Sequence, residues 1–373
     1  MPRLLITVVL ALVGCELERL PTAAGDHVIY HWDADEYQLC GGTIPLIDRH
    51  IEIMTGYYGW SASERSVEYF WDAELARKAC SRGDAFGCAH RFSTSTMVFT
   101  NDSLDTHELG HTTRVGAPHA QGSAVDFIDE GFATRWSSSI LELSDVPISW
   151  ATFLSEAELR AALEADDTKD FSYGYAFTWW LALELEYGPA KMAEFVAELE
   201  GAASADDVEA ALQRVFGISL AESAALAEDL PVGAVDDPAC ALEGLPTYTW
   251  AGSSLVVERD DPTCADEDIV NVFNQDAMWL FVLEFPDTPT SVEVSVTVPE
   301  GEDPLRKSLN LIQCSGEYHF GEFPPTYNAI AGYPDFPTGP WKMWGRHVGA
   351  LSAPLEADGS IALPRVALEQ AIP

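Results

Sequence analysis

The chain has 373 residues, 47% of them hydrophobic, enough for more than one compact unit with its own core. It carries 60 acidic residues against 20 Lys and Arg, a formal net charge of −40 at pH 7. This balance excludes nucleic-acid binding through a broad basic face, because phosphates would be repelled. The acidity is spread along a chain that also holds 11 Trp and 12 Tyr, so it predicts a solvated folded surface and not a disordered tail.

Residues 1–14 read as an export signal. Arg3 supplies a positive start, and Leu4 to Val13 form an apolar run too short to span a bilayer as a stable helix. The run ends in Leu12-Val13-Gly14-Cys15, which resembles a bacterial lipobox. That resemblance implies lipid on the Cys15 sulfur and a mature N terminus there. Cleavage near Ala23-Ala24 is the alternative, and it would leave Glu16, Glu18 and Arg19 between the apolar run and the cut. The expected location is the bacterial cell envelope, with the protein lipid-anchored to the outer membrane or cell surface. More than one acyl chain would make the membrane attachment stable.

Setting Cys15 aside leaves Cys40, Cys80, Cys88, Cys240, Cys264 and Cys314. An even set in an exported chain predicts disulfides. Cys80 and Cys88 are close enough to close a small loop. Three cysteines precede residue 235 and three follow, so full pairing requires at least one bridge across that point; Cys40 to Cys314 is one option. None has Cys-x-x-Cys spacing, which argues against a thiolate metal site.

Residues 15–25 read as a polar tether. Strands are predicted at His27–Trp32, Ser66–Trp71 and Met97–Thr100, with helices at Ile44–Tyr58 and Ala73–Ala79 between them. Residues 102–230 read as almost wholly helical. Gly116 and Pro118 break the first helix, a second starts near Ser123, and a third runs from Ser172 to Tyr187 and stops at Gly188-Pro189. Further helices cover 190–200 and 204–216. After Pro231 the pattern turns to alternating segments at Ser254–Glu258, Met278–Leu283, Ser291–Val298 and Leu309–Gln313, which predict a β-sandwich. The fold class expected is α+β: one unit over 26–232 and a β-rich accessory unit over 237–373.

The chemistry centres on His107-Glu108-Leu109-Gly110-His111. Histidines four apart on a helix share one face, about 6 Å apart along the axis, so both can reach one ion. Glu108 stands beside the first of them and can take a proton from an attacking water without being a ligand. Imidazole and carboxylate donors suit Zn2+. Eighteen residues separate His111 from Glu130, which lies within Asp126-Phe127-Ile128-Asp129-Glu130-Gly131-Phe132-Ala133.

This combination resembles the gluzincin metallopeptidases, most closely the zinc-binding segment of the aminopeptidase N family. There the same 18-residue gap leads to an Asn-Glu-Gly-Phe-Ala-like string. The resemblance covers about residues 95–190 and implies a zincin-like catalytic unit with Glu130 as the third ligand and an open fourth position. Asp129 stands where that family has Asn. Thr134 stands where thermolysin-like enzymes place an Asp that supports a ligand His. The resemblance also implies a downstream Tyr that donates to the oxyanion. Tyr173, in Phe171-Ser172-Tyr173-Gly174-Tyr175, fits that place; another alignment puts Phe171 there, and Tyr175 and His119 are further candidates. The Gly-x-Met-Glu-Asn motif that holds a substrate N terminus in aminopeptidase N relatives is absent, which points to an endopeptidase.

The expected activity is zinc-dependent hydrolysis of a peptide or protein substrate, with Glu108 as base, and the strand Met97–Thr100 as a site for adding an extended substrate. Two other readings stand beside it. One is a non-catalytic surface lipoprotein with a peptidase-like binding fold; the other is a zinc hydrolase of a non-peptide substrate.

Overall fold

β-Branched and aromatic residues fill Val28–Trp32 (β2), Val67–Trp71 (β3) and Thr96–Thr100 (β5), and these pair in parallel as the middle of one sheet. The computed structural model describes residues 20–62, 66–80, 87–91, 95–112, 126–137, 155–165, 170–199, 201–228, 238–272, 276–298, 303, 307–314, 326–330 and 341–371. The expected signal at 1–14, the lipid site Cys15, the loop residues Gly116, Pro118 and His119, and the expected helix start at Ser123 lie outside them. Among the described residues no helix is long and apolar enough to cross a membrane.

Two short antiparallel strands complete this sheet, in the order β1-β2-β3-β5-β4. β1 (Thr22–Ala24) lies within the stretch expected as tether and pairs with β2. β4 (Gly87–Arg91) pairs with β5. The strand expected to accept substrate, Met97–Thr100, therefore lies between β3 and β4 and has no open edge. β4 is the end strand on that side.

Helix α1 (Thr43–Tyr57) follows β2 and turns Leu46, Ile47, His50, Ile51 and Met54 into the core. Helix α2 (Ala73–Ala79) follows β3, with Asp72 capping its N terminus by accepting from the Glu74 and Leu75 amides. It covers a small cluster of Phe70, Leu75, Cys80 and Phe99 on the opposite face of the sheet. After β5 come the motif helix α3 (Thr106–Gly110), α4 (Asp126–Trp136), α5 (Glu156–Leu163), α6 (Tyr173–Tyr187), α7 (Pro189–Glu198), α8 (Ala205–Val215) and α9 (Leu220–Glu228). Residues 176–184 of α6 are buried all round the helix, making it the central post of the helical part.

The C-terminal part is a sandwich, mostly antiparallel. One sheet has four strands in the order β13 (Trp341–Met343), β10 (Thr290–Thr297), β15 (Arg365–Gln370), β7 (Ser254–Val257). The other has β12 (Thr326–Ile330), β11 (Ser308–Gln313), β14 (Arg346–Pro354), β9 (Asp276–Glu284) and the parallel β6 (Thr247–Thr249), with β8 (Ile269–Val272) also on β9. Alternation along β9 divides its side chains between two cores. Ala277, Trp279, Phe281 and Leu283 pack inside the sandwich. Met278, Leu280 and Val282 join the cluster that also holds Ile47, Ile51, Leu109 and Phe132. The core around the motif helix thus continues onto the outer face of this sheet, while a second core fills the sandwich. The molecule is mixed α/β, compatible with the α+β class.

Three disulfides pair Cys40 with Cys264, Cys80 with Cys88, and Cys240 with Cys314. The small loop and the crossing bridge follow the expectation, but the crossing partner of Cys40 is Cys264 and not Cys314. Beside that bridge Asn271 is fully buried. Its Oδ1 accepts from the Cys40 amide at 2.6 Å and Thr43 Oγ1 at 3.0 Å, and its Nδ2 donates to Gln38 O at 2.9 Å. Such satisfied buried polar groups set register, since a mispaired amide would be left unbonded.

Two buried histidines make this core sensitive to acid. Burial pushes His50 on α1 down to about 3 and His347 on β14 down to about 4. Each therefore binds fewer protons folded than unfolded at pH values below about 6.5, so stability falls as pH drops through that value. At pH 5 the loss is about 2 kcal/mol per histidine. Denaturant unfolding of wild type and His50→Gln at pH 7 and pH 5 should show a smaller drop in the variant, and parallel drops would refute this role for His50.

Candidate metal centre

The motif helix is placed by tyrosines rising from the sheet. Tyr30 on β2 donates from its hydroxyl to Ser103 O at 2.9 Å. Tyr69 on β3 donates to Asp102 O at 2.9 Å and accepts from the Asp105 amide at 2.8 Å. Asp105 then caps α3 by accepting from the Glu108 amide at 2.9 Å, while Thr100 Oγ1 donates to its other carboxylate oxygen at 3.0 Å. Leu109 and Thr106 are buried in the core, and His111 stands at the helix C terminus.

Close helix packing brings the rest of the centre in. A Cβ on Gly110 would stand 2.7 Å from Ala133 Cα on α4, and one on Gly131 would stand 2.5 Å from Ala176 O on α6. Both glycines allow backbone-to-backbone approach, α3 on α4 and α4 on α6. The Gly in each half of the motif is therefore explained by packing.

Glu130 on α4 meets the two histidines. Its Oε2 lies 3.0 Å from His107 Nε2 and 3.5 Å from His111 Nε2. The outer ring nitrogens have partners too. His107 Nδ1 is 3.3 Å from Ser137 Oγ, and His111 Nδ1 is 3.4 Å from Asp129 Oδ2. Each imidazole thus presents Nε2 inward and holds its ring by Nδ1, the arrangement that orients metal-ligating histidines. Thr134 plays no part among these contacts. Ser137 and Asp129 supply the support that the sequence did not locate.

His107, Glu108 and His111 each bring one ligand atom within 4.8 Å of the others, a group able to hold a metal ion. Two carboxylates thus approach the histidine pair. Glu130 differs from Glu108 in that one of its oxygens faces both Nε2 atoms from a separate helix. Electrostatics separates the two carboxylates further. Burial and the Asp105 carboxylate push Glu108 up to about 7. Burial would also raise Glu130, but His111 and His107 hold it far below the usual carboxylate range. Burial opposes charge on His111, yet Glu130 and Asp129 raise it to about 10. The centre is built to stabilise positive charge, and its nitrogen and carboxylate donors fit a borderline divalent cation.

Among the expected oxyanion donors, Tyr173 lies at the centre. Its ring stacks on that of His107, with centroids 5.7 Å apart and planes 9° from parallel, and the residue is 37% exposed. Tyr175 and Phe171 pack instead against the core.

Behind the centre is a buried ion pair that sequence reading missed. Arg135 Nε on α4 donates to Glu184 Oε1 on α6 at 2.9 Å. Glu184 also accepts from Tyr57 and Tyr58 at the end of α1, at 3.0 and 2.6 Å, and from Trp180 Nε1 at 3.2 Å. The Arg135 guanidinium lies over the Tyr57 and Trp136 rings at 5.7 and 4.9 Å. Three helices meet on one carboxylate. No family profile matches the chain, and no curated protein matches it.

Two variants probe this arrangement. Arg135→Met should cost about 3–5 kcal/mol by leaving Glu184 charged and buried, and the double variant with Glu184→Gln should recover part of that loss. Chemical denaturation of the four proteins measures it, and strict additivity would count against coupling. Asp129→Ala should weaken affinity for an added divalent metal ion roughly 10–100-fold by releasing the His111 ring; competitive chelator titration reads this, and unchanged affinity would remove Asp129 from the supporting contacts.

Proposed function

We propose that this protein is a zinc-dependent metallopeptidase of the gluzincin type, acting as an endopeptidase on peptide or protein substrates. One observation carries the reading. Glu130 meets both motif histidines, while Glu108 stands on the motif helix itself as a second, differently poised carboxylate.

In this reading His107, His111 and Glu130 would hold Zn2+, which when bound would polarise a carbonyl and lower the pKa of water toward neutrality. Glu108 accepts a proton from the attacking water at its carboxylate and returns it to the leaving nitrogen. A carboxyl group balanced near neutrality suits both transfers. The Tyr173 hydroxyl donates to the developing oxyanion, consistent with its ring lying along His107. An extended substrate adds to β4, the end strand of the sheet, rather than to the enclosed β5 first expected. Asp105 and Glu108 border that strand at Gly87.

Export and lipid attachment at Cys15 belong to the same proposal. The three disulfides support an oxidising compartment. The non-catalytic alternative gains nothing from Glu108, since metal binding by two histidines and Glu130 does not need it.

Glu108→Gln should reduce turnover of a mixed peptide library at least 10²-fold, with zinc content unchanged. Mass-spectrometric cleavage profiling with metal analysis tests this. A wild-type protein that binds zinc but cleaves no peptide would refute the peptidase reading.

A further inference from the structure

The backbone of β4 comes unusually close to the motif helix. A Cβ on Gly87 would lie 2.7 Å from Asp105 Oδ2, 2.9 Å from Glu108 Cγ and 3.2 Å from Thr100 Cβ. Two of these three atoms belong to the residues that start the motif helix and carry its carboxylate. Gly87 does not have a positive φ, so no backbone strain requires glycine here. On propensity alone, Ala at this strand position would be neutral or stabilising. The space is what excludes it.

The opposite face of the same strand is anchored. Successive strand residues point to opposite sides of a sheet. Cys88 packs with Phe99 and Cys80 on the α2 side, where the Cys80–Cys88 disulfide ties β4 to the residue that ends α2. Ala89, two residues after Gly87, packs toward the main core. The strand is clamped from behind while its bare Cα faces the stem of Glu108.

We propose that Gly87 is a positioning residue for Glu108: the close approach of β4, held by the Cys80–Cys88 bridge, sets where the Glu108 carboxylate stands relative to the histidine pair. A methyl group at position 87 has to displace the Glu108 stem or the Asp105 carboxylate, and Asp105 is bonded to the Glu108 amide and to Thr100 Oγ1. Either displacement moves the carboxylate without touching His107, His111 or Glu130. This rests on the peptidase reading for its kinetic consequence, but the placement of Glu108 can be read without catalysis.

The test uses the full chain loaded with zinc for kinetics and with cobalt(II) for spectroscopy. Gly87→Ala should lower kcat roughly 10–100-fold with KM within about 2-fold, as misplacement of a reacting group does. Its affinity for either metal should stay within about 2-fold of wild type. The visible cobalt bands should shift from those of wild type in the absence of substrate, because they respond to the groups around the ion. Cys80→Ala/Cys88→Ala should shift kcat and the bands in the same direction, and it serves in place of Gly87→Ala if that variant does not fold. Unchanged kcat in an active protein overturns the proposal, as does a loss of metal affinity that accounts for the fall in rate. If wild type cleaves no peptide, the peptidase reading fails by itself. The cobalt bands then decide alone: shifted bands support positioning by Gly87, and bands identical to wild type overturn it.

Discussion

The Arg135–Glu184 pair fixes how α4 meets its neighbours, and the rest of the centre depends on that relation. Taking two charges out of water is costly, and the cost is offset only when every remaining donor and acceptor is satisfied. Here the Glu184 oxygens accept from Arg135, Tyr57, Tyr58 and Trp180. Few other arrangements of α1, α4 and α6 would leave none of these groups unbonded. The network therefore selects one helix geometry more than it adds stability. In that geometry Gly131 packs on Ala176, Glu130 faces the histidines and the Tyr173 ring lies along His107.

Electrostatics within the centre follows from crowding. Asp105, Glu108, Asp129 and Glu130 all belong to the two short helices around the histidine pair. Their mutual repulsion, in a place largely removed from water, divides them into different roles. Glu130 is held ionised by the imidazoles, whereas Glu108 is pushed toward neutrality by burial and by Asp105. The same residue type is thus pushed in opposite directions at two places, up at Glu108 and down at Glu130.

Much of this was legible in the sequence. The His-Glu-x-x-His spacing put the two histidines on one side because a helix converts spacing directly into facing, whereas Glu130 was reached only through the resemblance carried by the 18-residue gap. Apolar periodicity located α1, and the Gly188-Pro189 stop located the end of α6, each to within a residue or two. The β4 strand was not legible. Gly87-Cys88-Ala89-His90-Arg91 has little β-propensity and no clear alternation, and it is a strand because the edge of β5 offers it backbone partners. The buried Arg135 was also hidden, since a charged residue near a helix end ordinarily reads as exposed. Asp129 and Ser137 were missed as supports for the histidines because a helix one turn off the expected spacing reaches the same ring nitrogens. The sandwich was foreseen from its alternating segments. That β9 buries both faces was written in its unbroken apolar run, Ala277 to Leu283, but the run does not say what covers the second face.

That second face has a consequence for the order in which the molecule is made. A ribosome delivers every proposed ligand by residue 130 and the supporting Ser137 soon after. Yet α1, whose terminal tyrosines hold Glu184, sits in a core completed by Val270, Met278 and Val348, and its first turn is bonded to Asn271. For more than a hundred residues of synthesis the ligand residues exist without the platform that sets their positions. The core behind the centre can therefore be complete only once residues 270 to 348 are present to join it.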